Sequence, residues 1–178
     1  VLYEKKNPNK KFVFNYRRMC VSTVAGIIEE NAGKSEYFPY TVLLKTEKVL
    51  FKLLEKIDSE ITSLDDLPTD VLNSARGQIY SALMEYSLRK DRHQSGKKRK
   101  KWTQSVKRFL TKSLDRQQDG SMEYSFILGK YLPQLYYVDK KWVVEKINLI
   151  LPKENIQHWK AAFTGYLFYT GGVYKEIY

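Results

Sequence analysis

Residues 68–88 read PTDVLNSARGQIYSALMEYSL, and this stretch decides the fold. Leu72, Ala75, Ile79, Ala82, Leu83 and Tyr86 recur every three or four residues, which places them on one side of a single helix for about four turns. Pro68 suits the first turn of such a helix, where no partner for a backbone N–H is needed. Its interior carries a polar cluster, Asn73, Ser74, Arg76 and Gly77, that a plain surface helix does not require. Glycine inside a helix costs about 1 kcal/mol against alanine, so Gly77 points to a neighbouring helix at close range. Arg76 can donate to that neighbour's terminal carbonyls or to a carboxylate. Asn73, Arg76 and Gly77 are therefore read as structural positions at a packing joint, with ligand binding as the alternative.

Working outward, helical periodicity continues on both sides. Towards the N-terminus, a strap with Asn7-Pro8-Asn9 precedes a helix over about 12–30 carrying Phe14, Val21, Val24, Ala25, Ile27 and Ile28, with Arg17 and Arg18 towards solvent. Gly33 stops it, and Pro39 sits in an aromatic connector. A second helix over about 41–59 places Leu43, Leu50, Leu53, Leu54 and Ile57 inward and leaves Lys45, Lys48, Lys52, Glu55 and Lys56 solvated. Towards the C-terminus, a helix over about 100–115 turns Trp102, Val106, Phe109, Leu110 and Leu114 inward. Ser121 can cap a helix over 122–131 that Pro133 ends, Asp139 one over 140–151, and Asn155 one over 158–169. No period-2 run survives this pass. The expectation is all-α: an irregular α-solenoid of HEAT-like stacked antiparallel helix pairs, without a clean internal repeat.

With 178 residues and 43% hydrophobic side chains the chain can bury a core, and one helical segment spanning 1–178 is expected. It begins with Val1, and Val173, Tyr174, Ile177 and Tyr178 continue an apolar helical pattern, so a fragment of a longer protein is expected. The one cysteine, Cys20, fits a reducing cytoplasm, and no apolar run is long enough to cross a bilayer.

The net charge of +11 is concentrated in one block. Residues 1–88 are neutral overall, while residues 89–119 hold 12 lysines and arginines against 3 acids. Within it, 90–101 reads as a basic loop. Lys97, Lys98, Arg99, Lys100 and Lys101, followed by Trp102, Lys107 and Arg108, form a candidate nucleic-acid site: dense cations release counterions from a phosphate backbone, and an indole can stack on a base. The plainer reading is a solvated lysine loop with Trp102 as a core anchor. No catalytic constellation, phosphate-cradling glycine loop or metal-ligand cluster is present, and two histidines with one cysteine leave little material for a metal site. No cofactor and no enzymatic activity are expected of this segment.

Two stretches carry a resemblance. LNSARGQIYSALMEYSL (72–88) resembles an N-S-x-R-G helix of the helical-repeat regions of large bacterial antiphage defence proteins of the STAND NTPase or sirtuin-like type. LGKYLPQLYYVDKKWVVEKINLILPKENIQHWKAAFTGYLFY (128–169) resembles a segment of the same class, in which a Tyr/Leu-rich helix, an Asp-x-x-Trp helix and a Trp-x-x-x-Phe-x-Gly-Tyr-Leu helix follow in order. The resemblance implies a non-catalytic sensor or scaffold array whose effector lies elsewhere in a longer chain. Its implied partner is a protein, either a phage protein or another part of the same chain. The lysine-rich loop is not part of the resembling pattern.

Overall fold

The computed structural model describes residues 16–32, 39–93, 102–116 and 120–170. Among these it is all-helical: α1 (Tyr16–Ala32), α2 (Tyr40–Leu54), α3 (Leu67–Asn73), α4 (Ala75–His93), α5 (Gln104–Ser113), α6 (Met122–Lys130), α7 (Leu132–Val138), α8 (Lys140–Ile150) and α9 (Ile156–Tyr169). The buried apolar side chains form one cluster. Its largest fully buried members include Tyr80, Tyr86, Tyr124, Phe126 and Tyr166, each stabilising by roughly 1.5–3 kcal/mol when removed from water.

The centre is α6, buried at every residue from Glu123 to Gly129. Its most extensive partner is α9, which it meets backbone to backbone. A Cβ on Gly129 would lie 1.8 Å from the Ala162 carbonyl oxygen, and one on Gly165 would lie 2.1 Å from that of Phe126. Only glycine fits at either point. The second most extensive contact lays α1 on α4 through Val21, Ala25, Ile28 and Ala32. These two contacts join helices three apart in order, so stacking of successive antiparallel pairs does not describe them. α4 also touches α2, α3, α6 and α7, and α7 packs on α8.

Three sequence-expected helix starts are capped by their own side chains. Ser121 Oγ accepts the Tyr124 N–H, an Asp139 carboxylate oxygen accepts that of Trp142, and Asn155 accepts that of His158. Three expectations are corrected. The single helix read over 68–88 is two, parted at Ser74, whose φ −73 and ψ 142 are extended. The second helix ends at Leu54 rather than near Ser59. Pro133 does not end helical structure; it occupies the first turn of α7, where its missing N–H would have had no partner. The side chain of Leu43, and residues 12–15 of the first expected helix, lie outside the described residues.

Candidate interaction surfaces

The polar cluster that interrupts 68–88 builds a helix joint. Ser74 Oγ donates to the Val71 carbonyl at 2.9 Å and accepts the Gly77 N–H at 2.9 Å, ending α3 and capping α4 with one hydroxyl. Gly77 stands where a Cβ would be 2.0 Å from the Val71 carbonyl oxygen. Arg76 Nη1 donates to the Leu54 and Ile57 carbonyls at 3.2 and 2.6 Å, just where α2 stops. Asn73 is exposed at the end of α3 and lines an open polar cleft of about 310 Å³ with Glu60, Thr62, Ser63 and Asp70.

Among the described residues Arg76 is one of four arginines that serve helix ends. Arg17 donates to the Lys56 carbonyl just beyond α2 at 2.8 Å. Arg89, only 4% exposed, donates to the Asn31 and Ala32 carbonyls at the end of α1 at 3.3 and 2.7 Å. Arg116 reaches the Ser113 carbonyl at the end of α5 and the Leu149 carbonyl near the end of α8, each at 3.2 Å. Helix C-termini leave carbonyls without intrahelical partners and carry partial negative charge, so a guanidinium there satisfies both needs. Part of the basic block is thereby committed to the fold.

The described part of the candidate nucleic-acid site is committed too, except for Arg108. Trp102 is 5% exposed, sits edge-on to Trp142 with ring centroids 4.9 Å apart, and donates its indole N–H to Asp139 Oδ2 at 3.1 Å. It is a core anchor, and no face is left for stacking on a base. Lys107 Nζ lies 2.8 Å from the same Asp139 oxygen. Burial would raise the Asp139 carboxyl, but hydrogen bonds from Lys107, the Trp142 N–H and the Trp102 indole together hold it below the usual value. Arg108 is exposed on α5. Lys97, Lys98, Arg99, Lys100 and Lys101 lie outside the described residues.

Two further polar groupings lie inside the packing, and sequence reading had singled out neither. Ser125 Oγ and His158 Nδ1 are 2.8 Å apart across the α6–α9 crossing, with both residues buried. The pair joins α6 to α9 within the packing. Lys130 Nζ lies 3.8 Å from Glu29 and over the rings of Tyr131 and Tyr169, while the Tyr131 hydroxyl donates to Glu85 at 3.0 Å. Burial pushes the Glu29 carboxyl up, Lys130 opposes this, and Glu85 reinforces it. Burial, then the charges of Glu85 and Glu29, push the Tyr131 hydroxyl up as well. Among the described residues no three His, Cys, Asp or Glu side chains gather as metal ligands, and no helix is long and apolar enough to cross a membrane.

Among the described residues, exposed apolar side chains also lie on α9 at Leu167, Phe168 and Tyr169, and two outward faces lie on α1 and α2. On α1, Tyr16, Met19 and Ile27 are exposed on the side away from the row packed on α4, at 67%, 53% and 53%, and Val24 is exposed on the flank of that row. Cys20 is exposed on that same outward side. On α2, Lys45, Lys48 and Lys52 are exposed, opposite the buried Thr46, Leu50 and Leu54, and Lys56 just beyond the helix is exposed too. The chain matches no protein-family model, no curated protein and no solved structure.

Proposed function

We propose that this chain is a non-catalytic helical interaction module that holds a protein partner through the outward face of α1. The observation that carries the reading is that Tyr16, Met19 and Ile27 are exposed on one side of a helix whose other side is already packed. Single exposed apolar residues are ordinary, but several on one helix face mark an interaction surface. They span about 17 Å along the axis, a length that an amphipathic helix covers with anchors at successive turns. The occupant is such a helix, borne by a phage protein or by another segment of a longer chain. The defence setting and the solenoid character of the parent rest on the resemblance of 72–88 and 128–169. A cytoplasmic setting is supported by the lone, unbridged Cys20 thiol.

The test compares the wild type with a Met19→Glu, Ile27→Glu double variant whose melting curve is unchanged. The wild type retains a protein partner at roughly 0.5 M salt, where surface charge attraction is screened, and the variant loses it. Retention of the same proteins by both, or release of the partner by salt alone, overturns the reading.

The second reading is nucleic-acid binding through 97–108. It keeps Arg108, which is exposed, and gives up Trp102 and Lys107, whose polar groups are held by Asp139.

A further inference from the structure

We infer that the outward face of α2, continued by the neighbouring face of α5, is a surface that tracks the phosphate backbone of duplex nucleic acid. This goes beyond the α1 reading and uses a different face, so either can fail alone.

Lys45, Lys48 and Lys52 are spaced by three or four residues, so they share one stripe of α2 about 10 Å long, and Lys56 follows just past its end. All four are exposed. The stripe does not end at α2. Phe51 of α2 meets Phe109 of α5 with ring centroids 4.9 Å apart, and Thr103, the residue before α5, donates to Glu47 of α2 at 3.1 Å. The two helices therefore touch through these side chains, and α5 carries Arg108 and Lys112, one turn apart and both exposed.

The acids of this region are placed so that they do not cancel the stripe. The Glu47 carboxylate accepts from the Tyr86 and Thr103 hydroxyls and so faces the packed side. Glu55 and Asp58 are exposed, but at the Lys56 end, and Asp115 lies beyond Lys112. Among the described residues the six cations thus outnumber these three exposed acids, and the part of α2 from Lys45 to Lys52 holds none of them.

Chemistry selects the partner. A duplex presents a dense, regular array of negative charge, and lysines act on it as point charges on flexible stems, without reading bases. Single-strand binders add aromatic platforms for unstacked bases. Here the nearby rings are engaged: Phe51 and Phe109 with each other, and Trp102 with Trp142. A duplex is therefore favoured over a single strand. Bilayer insertion would need large apolar or aromatic side chains between the lysines; among the described side chains of α2 the exposed apolar ones are Val42 and Val49.

The experiment is a salt titration of affinity for a random-sequence duplex, the corresponding single strand, and vesicles containing anionic lipid. It uses the whole chain as wild type, as Lys45→Gln, Lys48→Gln, Lys52→Gln, and as a variant neutralised at 97–101. A helical spectrum and an unchanged melt qualify each variant. The wild type binds duplex more tightly than single strand, with a log–log salt slope of about −4 to −5, and the α2 variant flattens that slope by about 3. Affinity of the α2 variant falls by at least about tenfold at moderate salt. An unchanged slope in the α2 variant, preference for the single strand, vesicle binding without duplex binding, or no duplex binding at low salt each overturns the inference.

Discussion

The α6–α9 crossing and the seat of α1 on α4 are the two most extensive helix contacts in the molecule, and they are built by opposite means. Where α6 meets α9, two glycines remove side chains altogether, so each backbone rests against the other's carbonyls. Where α1 meets α4, small and branched side chains fill the seam, and the buried Arg89 clamps the last carbonyls of α1. The first contact is fixed by shape and has no slack, because protein interiors are packed to crystal-like density. The second is a sum of separable contributions and yields by degrees.

One substitution, glycine to alanine, breaks or sharpens this comparison most directly. At Gly129 and Gly165 the new methyl meets backbone, which cannot turn aside as a side chain can. Each variant is expected to lose about 3 kcal/mol or more, a fall of roughly 6–12 °C in melting temperature for a chain of this size. A loss of less than about 1 kcal/mol at both would show that the crossing has slack. Gly77→Ala faces the Val71 carbonyl at a comparable distance, but the obstacle is the last turn of a short helix, which can shift. We expect a loss of about 2 kcal/mol in urea unfolding.

Arg89→Met strips the clamp while keeping apolar bulk, and the freed carbonyls cost about 2 kcal/mol. Protease cutting within α1 should then appear at temperatures below the main melt. Coincident cutting and melting would mean that α1 is not a separable layer. Gly26 lies on α1 with nothing within 4 Å of a would-be Cβ. Gly26→Ala is therefore expected to stabilise by about 0.5–1 kcal/mol, a sign opposite to that at Gly129.

The smallest effect is electrostatic and concerns the edge of the α1 seat. Glu29 is raised by burial, so between its usual and its folded value the native state holds more protons than the unfolded chain. Stability therefore declines as pH rises through that window, and Glu29→Gln should flatten the slope and slightly raise the neutral-pH melt. Asp139 runs the other way. Its lowered value contributes stability that is present above the usual carboxylate range and lost as pH falls through the folded value. Asp139→Asn should cost stability at neutral pH and cost nothing in strong acid; melts across pH 2–7 separate the two.

Much of this architecture could be read from residues. Helical periodicity gave the fold class, and the caps at Ser121, Asp139 and Asn155 carried recognisable signatures because a cap is a local hydrogen bond. The break at Ser74 escaped because its apolar neighbours keep helical spacing across it; the visible sign was a cap-type serine three residues before a glycine. Proline at 133 is ambiguous by nature, since the residue that stops one helix suits the first turn of the next. The spacings Ser125-x-x-x-Gly129 and Ala161-x-x-x-Gly165 are a small-residue signal that would have pointed to the crossing. Nothing local announces that Arg89 reaches residues 31 and 32, because that pairing spans the chain. For the same reason the charge block suggested a binding site from 97 to 108, although Trp102 and Lys107 are drawn inward by an aspartate more than thirty residues away.

The burial of α6 from Glu123 to Gly129 gives the molecule an internal clock. The amide protons of its last turns are hydrogen-bonded within the helix and the residues that bear them are buried, so they are expected to trade with deuterium only when the whole assembly opens. Amides of α2, whose lysine face looks outward, exchange through smaller openings. Among the described residues the slowest protons are thus expected in the buried turns of this segment near residue 127, and their rate would measure the free energy of the entire fold.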